Sequence, residues 1–288
     1  MSATGTKSVL AVLAVGLAVT TVTPAGAVPR RIDVYRGPDA LVRALDRARA
    51  GDVVRVHRGR YREAVTIDKR LTVKAVGPGR VVVDGRCRTA TVLDVEANGV
   101  TLKGFTVQGA TAGLGTIEVD FSGVSGGAAR RMVLRDTCDD AEYGINVFGT
   151  GSVVVRRSVA HGFGDAGIYV GGIGAGPVTV SENHAYGSVR GIIVEDSAPG
   201  TVAVVDNRLD GNGTGIFLHG SDGVLVRGNL VSGNLEYGIH VDPSSDGNSL
   251  FENLVSGSGI LDVLDEGAGN CWNGTAYGTG SPSPPPTC

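Results

Sequence analysis

A Gly-Ile pair returns at a nearly constant interval at six places in the C-terminal half of this chain, Gly144-Ile145, Gly167-Ile168, Gly191-Ile192, Gly215-Ile216, Gly238-Ile239 and Gly259-Ile260. The successive spacings are 23, 24, 24, 23 and 21 residues. A period of that length means that each unit buries its apolar face against its neighbours rather than folding alone. Each unit carries a second β-branched stretch, as in Val178-Thr179-Val180, Val202-Ala203-Val204 and Val224-Leu225-Val226, with Asn183, Asn207 and Asn229 three residues on; Asn253 follows Leu250 in the same way. Such amides, stacked in successive coils, can hydrogen-bond to one another at a turn, so we read them as structural. Helical repeats need helix formers at 3.6 spacing, whereas these units are short alternating Val/Ile strands broken by Gly, Asn and Asp. The dense Leu framework of leucine-rich repeats is missing. The expected fold is an all-β solenoid, a single-stranded right-handed parallel β-helix.

Composition agrees, with 46 Gly, 5% aromatic residues, two Met and one Trp, a profile suited to short strands and tight turns. Residues 38–50 read as an amphipathic helix with Leu41, Leu45 and Ala48 on one face, Pro38 near its first turn and Gly51 past its end. A short helix there would cover the open edge of the first coil. Strands are expected at 53–56, 65–67, 71–73, 81–83, 93–95, 100–102 and 105–107. Residues 260–264, Trp272 and the tail are expected to close the other end.

Lys7, an apolar stretch over 9–22 and Ala25-Gly26-Ala27 have the form of an export signal, so the mature chain is expected to begin near Val28. The expected organisation is a signal peptide at 1–27, a β-helix at 28–277 and a Gly/Ser/Pro-rich tail at 278–288. No later apolar run approaches a membrane span, so with the export signal a soluble, secreted product is expected; a monomer is expected as well. Four cysteines in an exported chain, none in a C-x-x-C pair, are expected to form the disulfides Cys271–Cys288 and Cys87–Cys138. With a formal charge of −3 and no long basic run, nucleic acid is not an expected partner. Neither the spacing of the five His nor the two Met suggests copper handling.

The segment 39–85, with Ala50-Gly51-Asp52-Val53-Val54 and Gly59-Arg60-Tyr61-Arg62-Glu63-Ala64-Val65-Thr66-Ile67, resembles the N-terminal coil of the pectin-lyase-like superfamily. The Gly-Ile coils are similar to its generic right-handed β-helix repeat proteins. The resemblance spans nearly the whole mature chain and implies the fold. It leaves activity open, because members include lyases, hydrolases, epimerases, tailspikes and noncatalytic surface proteins. The Trp-Ile-Asp-His of pectate lyases and the Gly-His-Gly and Arg-Ile-Lys of polygalacturonases are missing. The Asp-Pro-His-Asp of alginate epimerases is matched only by Asp242-Pro243, with Ser244 in place of His.

Strand side chains alternate in and out, so if each Ile of Gly-Ile points inward, the residues one and three later face solvent. With Leu93 and Ile117 taken as the equivalents in earlier coils, one outer column reads Asp94, Glu118, Asn146, Tyr169, Ile193, Phe217, His240. The other reads Glu96, Asp120, Phe148, Gly171, Glu195, His219, Asp242. Asp94, Glu96, Glu118 and Asp120 are then candidate ligands for a Ca2+ ion, whose charge would offset their repulsion. Glu195, His219, Asp242 and His240 are candidate acid-base residues, with Arg190 to neutralise a uronate carboxyl and Tyr169 and Phe217 to stack on sugar faces. No organic cofactor is expected. The expected partner is an extracellular, uronate-containing polysaccharide that the protein binds and cleaves or epimerises. The alternative is a noncatalytic β-helix binding glycan or protein through the same face.

On the same register Cys87 and Cys138 lie two coils apart, roughly 9.6 Å, beyond the reach of a disulfide unless loops bend. Their pairing is expected to require that the irregular segment 122–130 move aside.

Overall fold

The computed structural model describes residues 28–111, 115–149, 151–281 and 287; the expected export signal and most of the tail lie outside the described residues. The protein is a right-handed parallel β-helix. A typical coil has three strands, exemplified by Arg190–Glu195, Val202–Val205 and Arg208–Asp210. The first strands of successive coils stack into a ten-stranded parallel sheet, and the other two sets form an 18-stranded sheet around a corner.

The register of the ten-stranded sheet places Ile145, Ile168, Ile192, Ile216 and Ile239 in one fully buried column. The glycine before each Ile answers a steric demand. A Cβ on Gly191 would stand 2.6 Å from the Gly215 carbonyl oxygen, and one on Gly215 the same distance from that of Gly238. Any side chain there would push neighbouring coils apart. The sixth pair is not a member of the column. Ile239 pairs with Val263, Asp262 takes the glycine position, and Ile260 is 56% exposed. Asp262 stands in the last coil, and its carboxylate accepts the N–H groups of Ser258, Gly278 and Thr279, binding the tail to that coil.

The Asn column is a buried ladder. Asn183, Asn207 and Asn229 each donate Nδ2 to the Oδ1 of the next Asn, at 3.0, 3.0 and 2.9 Å, and also to a Val carbonyl of the preceding coil. Asn212 donates to Asn234 and Asn248 to Asn270 in the same manner at other corners, which the sequence reading did not anticipate.

At the N-terminal end the helix is Ala40–Arg47, shorter than expected because Asp39 is left-handed and Ala48 extended. Leu41, Ala44 and Leu45 pack on Arg31–Val34, Val53–Tyr61 and Val65–Ile67. Glu63, from the coil beneath, accepts the N–H groups of Leu41 and Val42 and satisfies the helix start. The expected strands at 71–73 and 81–83 fall in one long strand, Thr72–Thr89, and Arg31–Val34 was not foreseen. At the opposite end Trp272 is buried and donates Nε1–H to Asp265 Oδ2 at 2.7 Å.

Cys87 and Cys138 are disulfide-bonded with Cα atoms 5.8 Å apart, although two coils separate them in register. The segment 122–130 does not have to move, since its strand Ala128–Arg130 runs in register between Thr101–Lys103 and Val154–Arg156. Gly109 in the intervening coil provides the space, because a Cβ there would meet Arg86 N and Asp84 Oδ1 at 2.8 Å. Arg86 and Cys87 are both left-handed, which folds this corner over the next coil. Cys271 is also disulfide-bonded, and its expected partner Cys288 lies outside the described residues.

Candidate functional site

The early coils correct the expected columns by two residues. Leu93 pairs with Val119, not Ile117, so Asp94 stands beside Asp120, which stands beside Asn146. The outer column therefore reads Asp94, Asp120, Asn146, Tyr169, Ile193, Phe217, His240. Glu118 points into the protein and is fully buried. Its Oε1 accepts the Ala110 N–H at 3.1 Å, Oε2 has no partner among the described residues, and burial pushes the carboxyl up to about 8. Glu118 is thus a neutral acid at pH 7, and the expected four-carboxylate cation site is not assembled. Burial, then the charges of Asp120 and Glu96, raise the Asp94 carboxyl above its ordinary value. Asp120 Oδ1 is engaged by Ser122 and Asn146. Among the described residues no group of three or more His, Cys, Asp or Glu side chains is placed to hold a metal ion.

Of the second cluster, the structure brings Tyr169, Glu195, His219 and Asp242 together. Four consecutive coils contribute a series of polar side chains along the solenoid axis, hydrogen-bonded at its two ends and at ion-pair distance in the middle. The Tyr169 hydroxyl donates to Glu195 Oε2 at 2.6 Å, Glu195 Oε1 lies 3.8 Å from His219 Nε2, and His219 Nδ1 bonds Asp242 Oδ2. Burial would raise the Asp242 carboxyl, but hydrogen bonds from Ser244, Ser245 and His219 outweigh it and hold the group below its ordinary value. Asp242 is an ionised anchor for the imidazole. Burial and the Glu195 carboxylate push the Tyr169 phenol well above its usual range, so it remains protonated.

Phe217 sits between cation and imidazole. The Arg190 guanidinium lies 5.2 Å from its ring centroid and the His240 ring 4.9 Å on the other side. Arg190 is also ion-paired with Asp165, which engages the cation expected to serve a substrate carboxyl. His240 Nε2 bonds Glu266 Oε2 at 3.0 Å, so His240 belongs to a separate pair rather than to the His219 series.

Several neighbours escaped the sequence reading. Glu266 becomes visible when the outer column is continued one coil beyond Asp242. Tyr143 and Tyr237 share with the already named Arg190 a third column, two residues before the core Ile, which period-two alternation does not place at the surface. Tyr143 packs its ring 4.8 Å from Tyr169 and donates to Asp165, completing an aromatic row along the face.

These features define a right-handed parallel β-helix with ionisable and aromatic side chains ranked along one sheet. The chain belongs to the family described as periplasmic copper-binding protein (NosD), whose profile matches residues 81–280. Similar solved structures include the pectate lyase Pel9A, with 14% identity over 91% of this chain and 82% of that one at a TM-score of 0.62. XylC in complex with xylose shares 12% identity over 85% and 70% of the two chains at 0.63. An alginate lyase from Paenibacillus sp. str. FPU-7 shares 15% over 87% and 99% at 0.57. At these identities the likeness establishes the fold. No curated protein sequence matches the chain.

The donor chemistry here does not fit copper. Cys87, Cys138 and Cys271 are in disulfides and Met132 is in the core. His57, His184, His219 and His240 each bond a carboxylate, and His161 stacks on Tyr186. Soft thiolate or thioether ligands and converging imidazoles, which copper sites use, are not gathered among the described residues.

Proposed function

We propose that this protein is an extracytoplasmic β-helix that acts on a uronate-containing polysaccharide lying along the ten-stranded sheet. The observation that carries the reading is the Tyr169–Glu195–His219–Asp242 series, which pairs an oriented imidazole with a phenol kept protonated. In the proposed elimination, His219 Nε2 takes the proton from the carbon beside the uronate carboxyl. The released electron pair forms the carbon–carbon double bond as the bond to the glycosidic oxygen breaks, and Tyr169 gives that oxygen a proton. In an epimerisation the same carbon regains a proton on its opposite face. The rings of Phe217, Tyr143 and Tyr237 offer apolar surface to sugar faces. The disulfides and the family's periplasmic description support the compartment.

Incubation with polygalacturonate and alginate tests the reading. Elimination creates an unsaturated sugar that absorbs in the ultraviolet, and His219→Ala is expected to abolish its appearance. Lack of product and of epimerised residues from every uronate polymer tested, or full turnover by the variant, overturns it. One observation favours the noncatalytic alternative, a glycan-binding β-helix: Arg190 is held by Asp165. That reading expects saturable binding with no product.

A further inference from the structure

The sequence has no long basic run, yet the fold builds a basic stripe from single residues roughly two dozen apart. The second strands of successive coils pair Arg55 with Lys74, Lys74 with Lys103, Lys103 with Arg130 and Arg130 with Arg156. Five cations therefore stand in one column, one per coil, about 4.8 Å apart. At the adjoining corner two further arginines, Arg131 and Arg157, occupy left-handed positions where other coils place Gly104, Gly228 or Gly274. Arg is not a residue that this conformation favours. Together with Lys103, Arg130 and Arg156 these corner residues line one hollow.

Carboxylates balance only the two ends of the stripe. Asp33 lies 3.6 Å from Arg55, and Glu182 pairs with both Arg156 and Arg157. Lys74, Lys103, Arg130 and Arg131 make no ion pair among the described residues, and the last three are exposed. Like charges stacked directly across strands are unfavourable, and an anionic chain would relieve the repulsion.

We propose that this stripe binds a linear polyanionic polysaccharide, running along the solenoid axis with about one charge per sugar. The ligand's regular charge answers the one cation per coil. The flanking outer column is Val53, Thr72, Thr101, Ala128 and Val154, which offers no ring for stacking nucleobases. The disulfide argues for a compartment outside the cytoplasm. The stripe occupies the first coils of the 18-stranded sheet. The His219 series is on the ten-stranded sheet of later coils, so the two sites are separate.

The test is binding of polygalacturonate to the full chain across a salt series. About four charge contacts give a slope of log K against log salt near −3. The double variant Lys103→Glu, Arg130→Glu is expected to weaken binding by roughly tenfold or more at low salt and to flatten the slope by one to two units. Lys103→Gln, Arg130→Gln gives an intermediate loss. Because His219 belongs to the site where the same polymer is proposed to react, the salt series takes His219→Ala as its parent so that no turnover consumes the ligand. Loss of the salt-dependent binding on adding Lys103→Glu, Arg130→Glu reads the stripe, and loss of unsaturated product on His219→Ala alone reads the catalytic site. Unchanged binding by the charge-reversed variant, when circular dichroism shows it folded, overturns the proposal. So does equal or tighter binding of a single-stranded oligonucleotide or of phosphatidylglycerol vesicles.

Discussion

His219 Nδ1 and Asp242 Oδ2 are hydrogen-bonded across one coil boundary, which leaves the imidazole's Nε2 facing Glu195 and the outer surface of the sheet. The ionised Asp242, anchored by Ser244 and Ser245, fixes both the tilt of the ring and the nitrogen that carries the proton. Asp242→Asn keeps the shape and removes the charge. We expect turnover of a uronate polymer to fall about 10²- to 10⁴-fold with KM little changed. Wild-type turnover in this variant would show that Asp242 does not position His219.

Asn207 is fixed from both sides. It receives the Asn183 amide, donates to Asn229, and gives its other N–H to the Val180 carbonyl, all without solvent. Asn207→Ala would strand the Asn183 Nδ2 and N–H groups and the Val180 carbonyl. A loss of about 1–3 kcal/mol is expected, because buried unsatisfied groups keep their full desolvation cost. Urea denaturation of variant and wild type measures it. A difference under about 0.5 kcal/mol would mean that the ladder is replaceable.

The core register from residue 143 to residue 241 follows from the Gly-Ile period, because each turn there keeps one glycine where two coils touch. The same rule fails at both ends for physical reasons. Asp262 occupies the last glycine position, where its carboxylate holds three N–H groups, two of them from the tail, and Ile117 lies in an early coil without the Gly-Ile marker at all. The Glu195, His219 and Asp242 column was legible because it lies in the regular coils. Arg190's partner Asp165 was not, since it sits at a corner outside strict alternation. The basic stripe was invisible for a different reason: its members are neighbours only after coiling.

The glycine rule itself can be tested at Gly215, where a Cβ would lie 2.5 Å from Val231 Cγ1 and 2.6 Å from the Gly238 carbonyl oxygen. Gly215→Ala should destabilise by about 1–3 kcal/mol, since the backbone cannot move aside without parting two coils. Gly174 is the control, because nothing lies within 4 Å of the position its Cβ would take. Equal thermal melting of the two variants would refute the steric account of the repeat.

Glu118 predicts a pH dependence of stability whose sign follows from its burial. Its carboxyl titrates at about 8 in the folded protein against 4.5 as a model group. Between those values the folded state holds a proton that the unfolded chain has released, so its contribution to stability declines as pH rises through that window, and the cost is complete above about pH 8. The slope is at most about 1.4 kcal/mol per pH unit. Glu118→Gln keeps the volume and an acceptor for the Ala110 N–H but cannot ionise. The stability difference between variant and wild type should therefore grow from near pH 5 to pH 8 in favour of the variant, by an amount on the order of a few kcal/mol. Chemical denaturation at pH 5, 6.5 and 8.5 measures it, with groups common to both proteins cancelling in the difference. Parallel curves would place the Glu118 carboxyl in contact with solvent or a cation and not in the dry interior.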